Sequence, residues 1–149
     1  MPEPVLSVDP PSRELTTLRE KTERLLAGAV REYDVTGDHF EVPYRGTRII
    51  VHPLDWTRGR TLLRIIAPIL VEVESTTALF ERLIELNNTT VFGKYYIRDG
   101  SVFLEHNLLG ESVDKRGFRA ALASVAHHAD HLDDALQAEF GGRKWSEHG

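Results

Sequence analysis

The densest polar cluster in this 149-residue sequence is His127-His128-Ala129-Asp130-His131-Leu132-Asp133-Asp134. His127 and His131 stand one helical turn apart, with Asp134 near the same face. Two imidazoles so spaced can share a divalent metal. Against that reading, the Glu of a His-Glu-x-x-His metalloprotease helix is absent, and a metal centre needs a third converging ligand and outer hydrogen bonds. The apolar stripe of the same segment also places both histidines on the water side, where they read as a solvated polar face. His127 and His131 are therefore retained only as weak metal-ligand candidates. No catalytic residue and no cofactor is expected, and the chain is read as non-enzymatic.

The other combinations with chemical potential are thinner. His39 and His52 face each other across the first hairpin, which suits a cross-strand structural pair better than catalysis. Ser, His and Asp all occur, but no Gly-x-Ser-x-Gly elbow presents a nucleophile. Gly141-Gly142 closes a helix rather than opening one over a phosphate. Arg45, Arg48, Arg58, Arg60 and Arg64 gather around the first hairpin and the third strand. They can meet acidic groups of a partner, or simply be solvated arginines.

Composition narrows the classes further. The chain is 41% hydrophobic and 28% charged, as expected of a globular domain long enough to bury a core. A formal charge of -5 speaks against non-specific binding to nucleic acid or an anionic membrane. With no cysteine, disulfides, thiolate zinc sites and a Cys nucleophile are excluded. Met1-Pro2-Glu3-Pro4 lacks the basic region and apolar run of a signal peptide, and no apolar run is long enough to span a bilayer. The expected location is cytoplasmic. Residues 1–11 carry four prolines and read as a disordered lead, 12–142 as a single domain, and 143–149 as a polar tail.

Several elements must position any site. Ser12 can cap a helix to about Tyr33, with Leu15, Leu18, Thr22, Leu25 and Leu26 on its buried stripe. A turn at 34–38 leads to a hairpin of His39–Tyr44 and Thr47–His52, in which Pro43 requires an edge or a bulge. A third strand runs from Thr61 to about Glu74, bent at Pro68, and beyond the bend Ile69, Val71 and Val73 point inward. Before it, Leu62-Leu63-Arg64-Ile65-Ile66 is apolar on both faces. A short helix from Thr76 carries Leu79, Phe80, Leu83, Ile84 and Leu86 over a wide arc. Asp99-Gly100 between alternating runs marks a second hairpin with a type I′ turn. Pairing outward from it sets Ile97 against Val102, Tyr95 against Leu104, and Lys94 against Glu105. One face then carries Val91, Tyr95, Ile97, Val102, Leu104 and Leu108, and the other Phe92, Lys94, Tyr96, Phe103, Glu105 and Asn107. A last helix runs from Ser112, its expected cap, to Phe140, with Phe118, Leu122, Val125, Ala129, Leu132 and Leu136 buried.

The order helix, three strands, helix, two strands, helix predicts an α+β fold, a mainly antiparallel sheet covered by helices on one face. That order, with the stretch Leu83-Ile84-Glu85-Leu86-Asn87-Asn88-Thr89-Thr90-Val91-Phe92-Gly93-Lys94-Tyr95-Tyr96-Ile97, resembles the YbjN-like family. Its members carry the label of bacterial sensory transduction regulators and share the type III secretion chaperone-like fold. The resembling features are an apolar helix ending at Leu-Asn, a short break, an aromatic-Gly-Lys strand and a hairpin. The resemblance implies a chaperone-like protein that binds polypeptides without a cofactor, usually as a homodimer. It equally admits a sensory or regulatory protein that binds a signalling partner or small ligand. Nothing in the sequence ties it to a secretion system.

Surplus apolar surface supports a binding role. The outer hairpin face, the two-faced run and the wide-arc helix together exceed what one small core needs. The candidate partner or dimer surface is Leu63, Ile65, Leu79, Phe80, Leu83, Phe92, Tyr96 and Phe103.

Overall fold

A computed structural model describes residues 10–145. The nine residues before them, most of the expected disordered lead, and the last four lie outside the described residues.

Ser12 caps the first helix as expected, its Oγ accepting from the Leu15 N–H at 3.0 Å. The helix, α1, spans Arg13–Ala29 and buries Leu15, Leu18, Thr22, Leu25 and Leu26. It stops four residues early, and Tyr33 packs against the core from the connection that follows. Next come β1 (Asp34–Thr36), β2 (His39–Tyr44), β3 (Thr47–Asp55) and β4 (Thr61–Val71). The helix α2 (Thr77–Thr89) is capped by Thr76 and leads to β5 (Lys94–Arg98) and β6 (Ser101–Leu109). The long helix α3 (Lys115–Phe140) and the two-residue β7 (Arg143–Lys144) complete the order. Asp114, not Ser112, caps α3, accepting from the Gly117 N–H at 2.7 Å.

All described strands join one antiparallel sheet in the order β1-β2-β3-β4-β6-β5, with β7 beside the end of β4. Two of the strands are additions to the expected order. Residues 34–36 are a strand rather than a turn, and the supposed polar tail begins with a strand whose Arg143 clamps Glu72 through two contacts of 2.5 and 2.6 Å. Both hairpins keep the expected register: Phe40 faces Val51, Val42 faces Ile49, Tyr95 faces Leu104 and Ile97 faces Val102. Arg45-Gly46 and Asp99-Gly100 all have positive φ, as a type I′ turn demands. Pro43 lies on β2 beyond the last residue that β1 pairs, so its missing N–H breaks no ladder on that side.

The helices α1 and α3 cross the same face of the sheet, over β3, β4 and β6, while α2 packs against β5. The core between them holds Phe118, Leu26, Ile49, Leu63, Ile65, Leu79 and Leu136, all fully buried. Leu70 departs from its expected outward direction. The register slips between Pro68 and Leu70, so Leu70 pairs with Val102 and turns into the core.

Candidate functional site

No described helix covers the opposite face of the sheet, and its side chains form ordered rows. Register places Ile50 beside Ile66 and Ile66 beside Glu105, whose other neighbour is Lys94. One row toward the bulge, Phe103 sits between Pro68 and Tyr96. On the other side comes a polar row, His52, Arg64 and Asn107, and beyond it Leu54, Leu62 and Leu109. Ile50, Leu54, Leu62, Ile66, Tyr96 and Phe103 are each partly open to solvent, and Leu109 is 44% exposed. The face is therefore banded: an apolar band of Ile50, Ile66, Phe103 and Tyr96, flanked in its own row by Glu41, Glu105 and Lys94, then the polar row, then the leucine row, with rows about 7 Å apart along each strand.

At its centre lies a carboxylate that composition alone does not single out. Glu105 is only 5% exposed. It accepts from the Tyr96 hydroxyl at 3.0 Å and the Asn107 amide at 3.1 Å, with Lys94 Nζ at 3.2 Å and Arg64 Nε at 3.5 Å. Burial acts to raise its pKa, but the hydrogen bonds from Asn107, Tyr96 and Lys94 and the Arg64 charge together hold it below the usual carboxylate range. Burial and the neighbouring Glu105 charge push the Tyr96 phenol up to about 12. The Phe103 ring lies 5.4 Å from Tyr96, and Lys94 Nζ sits 5.8 Å over it. One anion thus fixes two cations and an aromatic pair on an open sheet face. Because folding lowers the Glu105 pKa, its stabilisation is fully present above the unfolded value and is lost as pH falls through the folded one. Glu105→Gln should accordingly cost about 2 kcal/mol near neutral pH. In urea titrations the gap to the parent protein should narrow below about pH 4.3; a gap constant with pH would refute the ionic role.

The β5 edge of the sheet beside this face is capped at Tyr95 by a side chain. Asn87 donates from Nδ2 to the Tyr95 carbonyl at 2.9 Å and accepts from the Tyr95 N–H at 2.7 Å. Its amide thereby occupies the place of a neighbouring strand, which blunts an edge that would otherwise recruit one. This gives the Leu-Asn break seen in the sequence a physical role. Gly93 supports it: with φ 91°, a Cβ there would sit 2.9 Å from the Glu105 carbonyl. Asn87→Ala should lose about 1–2 kcal/mol and aggregate earlier on heating through the bared edge. Unchanged melting and aggregation would remove the clamp from this account.

The expected surface residues divide. Leu63, Ile65, Leu79 and Leu83 belong to the core, at 0, 0, 0 and 5% exposure, so their assignment to a partner surface is corrected. Leu62 and Ile66 are the members of that run that face outward. Tyr96 and Phe103 lie on the open face as expected. Phe80 and Ile84, 44 and 59% exposed, share the outer side of α2. Phe92 and Val91 are not on the hairpin, because the turn at Gly93 ends the alternation before them. Both lie in the loop after α2, 66 and 84% exposed, with Phe92 stacked on His106.

His127 and His131 lie on the exposed side of α3, their rings stacked 6.4 Å apart. Among the described residues no three metal-binding side chains converge. His39 and His52 do meet, 5.8 Å apart and bridged by Asp38 at 3.2 and 3.4 Å. Three of the five clustered arginines are held internally: Arg45 by Asp130, Arg48 by Asp34 and Glu41, Arg64 by Glu105 and Asn107. No described helix is long and apolar enough to cross a membrane.

A family model and a solved structure place this architecture among known proteins. No curated protein matches the chain. The crystal structure of YbjN from E. coli matches with a TM-score of 0.57, covering 82% of this chain and 93% of that one. At 13% identity that likeness shows the fold: three helices on an antiparallel sheet. The family described as T3SS (YopN, CesT) and YbjN peptide-binding chaperone 1 matches residues 16–148, nearly the whole sequence. The chain belongs to that family, TY-Chap1.

Proposed function

We propose that this protein is a non-enzymatic, chaperone-like module of the bacterial cytoplasm that holds polypeptide segments on its uncovered sheet face and works as a homodimer. The observation that carries the reading is the banded face itself. A sheet surface that no described helix covers, with Ile50, Ile66, Tyr96 and Phe103 on one side of a polar row and Leu54, Leu62 and Leu109 on the other, suits a partner with spaced apolar side chains. The Asn87 clamp supports recognition by this face rather than by strand addition at the β5 edge. The family description adds that relatives bind peptides. For the homodimer, the support is a second apolar patch, Phe80 and Ile84 on α2 followed by Val91 and Phe92.

Binding to an array of short overlapping peptides tests the first part, and light scattering of Ile84→Glu tests the second. Selective capture of apolar-rich peptides, weakened by Phe103→Asp, is the expected result, together with a parent dimer that Ile84→Glu makes monomeric. A blank array, or one unaffected by Phe103→Asp, refutes the face; a parent monomer refutes the dimer. A regulator holding one signalling protein would use the same face but would select a single sequence from the array.

A further inference from the structure

On the helix-covered side, away from the banded face, a groove of about 580 Å³ opens between the end of α1, the β2–β3 hairpin and the first half of α3. Its floor is Val42, Ile49 and Leu122, which are core residues and therefore fixed in place. Val30 and Tyr44 wall it, and Arg31 and Arg119 stand at its rim. We propose that this groove seats an apolar side chain of a bound peptide whose neighbouring residues are acidic. The proposal rests on the peptide-binding reading and deepens it by naming a second contact and the chemistry of the segment.

Three observations select that occupant. The volume falls within the range of preformed ligand pockets, with space for a large aliphatic or aromatic anchor. The rim is basic on a protein whose net charge is -5. Neither Arg31 nor Arg119 has a carboxylate partner among the described residues, while the Arg119 guanidinium is already positioned by the Gly28 carbonyl at the end of α1. A guanidinium held in place with donors to spare suits an incoming carboxylate. Glu32, also at the rim, offsets only one of the two charges. Finally, the groove follows β2 past the point where β1 has ended, and there Pro43 offers no N–H. A segment passing along it meets no main-chain donor at that position, so recognition falls on side chains, as an apolar anchor flanked by acids requires.

Fluorescence anisotropy decides the matter with a short labelled peptide of alternating Leu and Asp, a twin with Lys for each Asp, and a twin with Ser for each Leu. The Leu-Asp peptide should bind at least about tenfold tighter than either twin. Ala123→Trp, at an exposed groove position, should remove that preference, and Arg31→Glu should shift it toward the lysine twin. Circular dichroism confirms that both variants fold. Equal binding of the Asp and Lys peptides, or a preference untouched by Ala123→Trp, overturns the inference. Peptide binding insensitive to Ala123→Trp but lost in Phe103→Asp overturns the groove and leaves the peptide-binding function standing. No binding of any of the three peptides also overturns the groove, and the array then judges the function by itself. Saturable sodium decanoate binding that Ala123→Trp abolishes, without peptide binding, makes the groove a small-acid site and refutes the peptide.

Discussion

Replacing Gly110 with alanine is expected to lower the unfolding free energy by about 3 kcal/mol, a fall of roughly 6–12 °C in Tm for a chain of this size. A Cβ there would lie 2.0 Å from the Thr61 hydroxyl and 2.9 Å from Leu18. Neither neighbour can move freely. Thr61 is 1% exposed, and the Glu111 carboxylate takes hydrogen bonds from both its N–H and its hydroxyl. Gly110 is itself tied down, its N–H donating to the Thr61 carbonyl at 2.9 Å and its carbonyl accepting from Lys21 at 3.1 Å. The connection from β6 to α3 is thereby held against the start of β4 and the middle of α1. Thr61→Ala removes the clashing oxygen, so the double variant should be less destabilised than the sum of the two single ones. Strict additivity, or a loss under about 1 kcal/mol for Gly110→Ala, would show that the close approach relaxes cheaply.

Gly110 also marks where sequence reading ends. In Leu109-Gly110-Glu111 nothing local announces that Leu18 and Thr61 converge on it; three distant segments make the constraint. Local signals fared better. Asp99-Gly100 and Arg45-Gly46 set their hairpins because a two-residue turn fixes the register, and alternation then assigns every side chain to a face. Hence Tyr96 and Phe103 were legible as outward residues. Alternation failed where it was absent or interrupted. Leu62 to Ile66 is apolar on both faces, so only the strands on either side reveal that Leu63 and Ile65 point inward. Val91 and Phe92 left the hairpin at Gly93, where the backbone takes a positive φ. The strands at 34–36 and 143–144 are too short to show any period. The arginines at the α1–α3 groove reach it from different elements, which spacing along one chain cannot express.

The division of the β4 and β6 side chains between two faces gives the second large effect. Ile65→Asp should unfold the protein, since it places a carboxylate at a fully buried position between Val51 and His106, whose pKa burial lowers so that the imidazole brings no charge near neutral pH, at a cost of about 4 kcal/mol or more. Phe103→Asp changes the same chemistry on the other face, where Tyr96 and Pro68 are the neighbours and water is at hand. There the fold should survive with a melting temperature close to that of the parent, while affinity for array-selected peptides falls about thirtyfold, as for loss of an aromatic anchor worth about 2 kcal/mol. Tyr96→Asp would be a poorer probe, because its new carboxylate would face Glu105 in place of the hydroxyl that now donates to it. Circular dichroism and anisotropy on the two variants therefore separate structure from recognition. A folded Ile65→Asp would mean that the helices do not seal this face of the sheet. A folded Phe103→Asp with undiminished peptide binding would move recognition off the open face and leave its banding without a functional role.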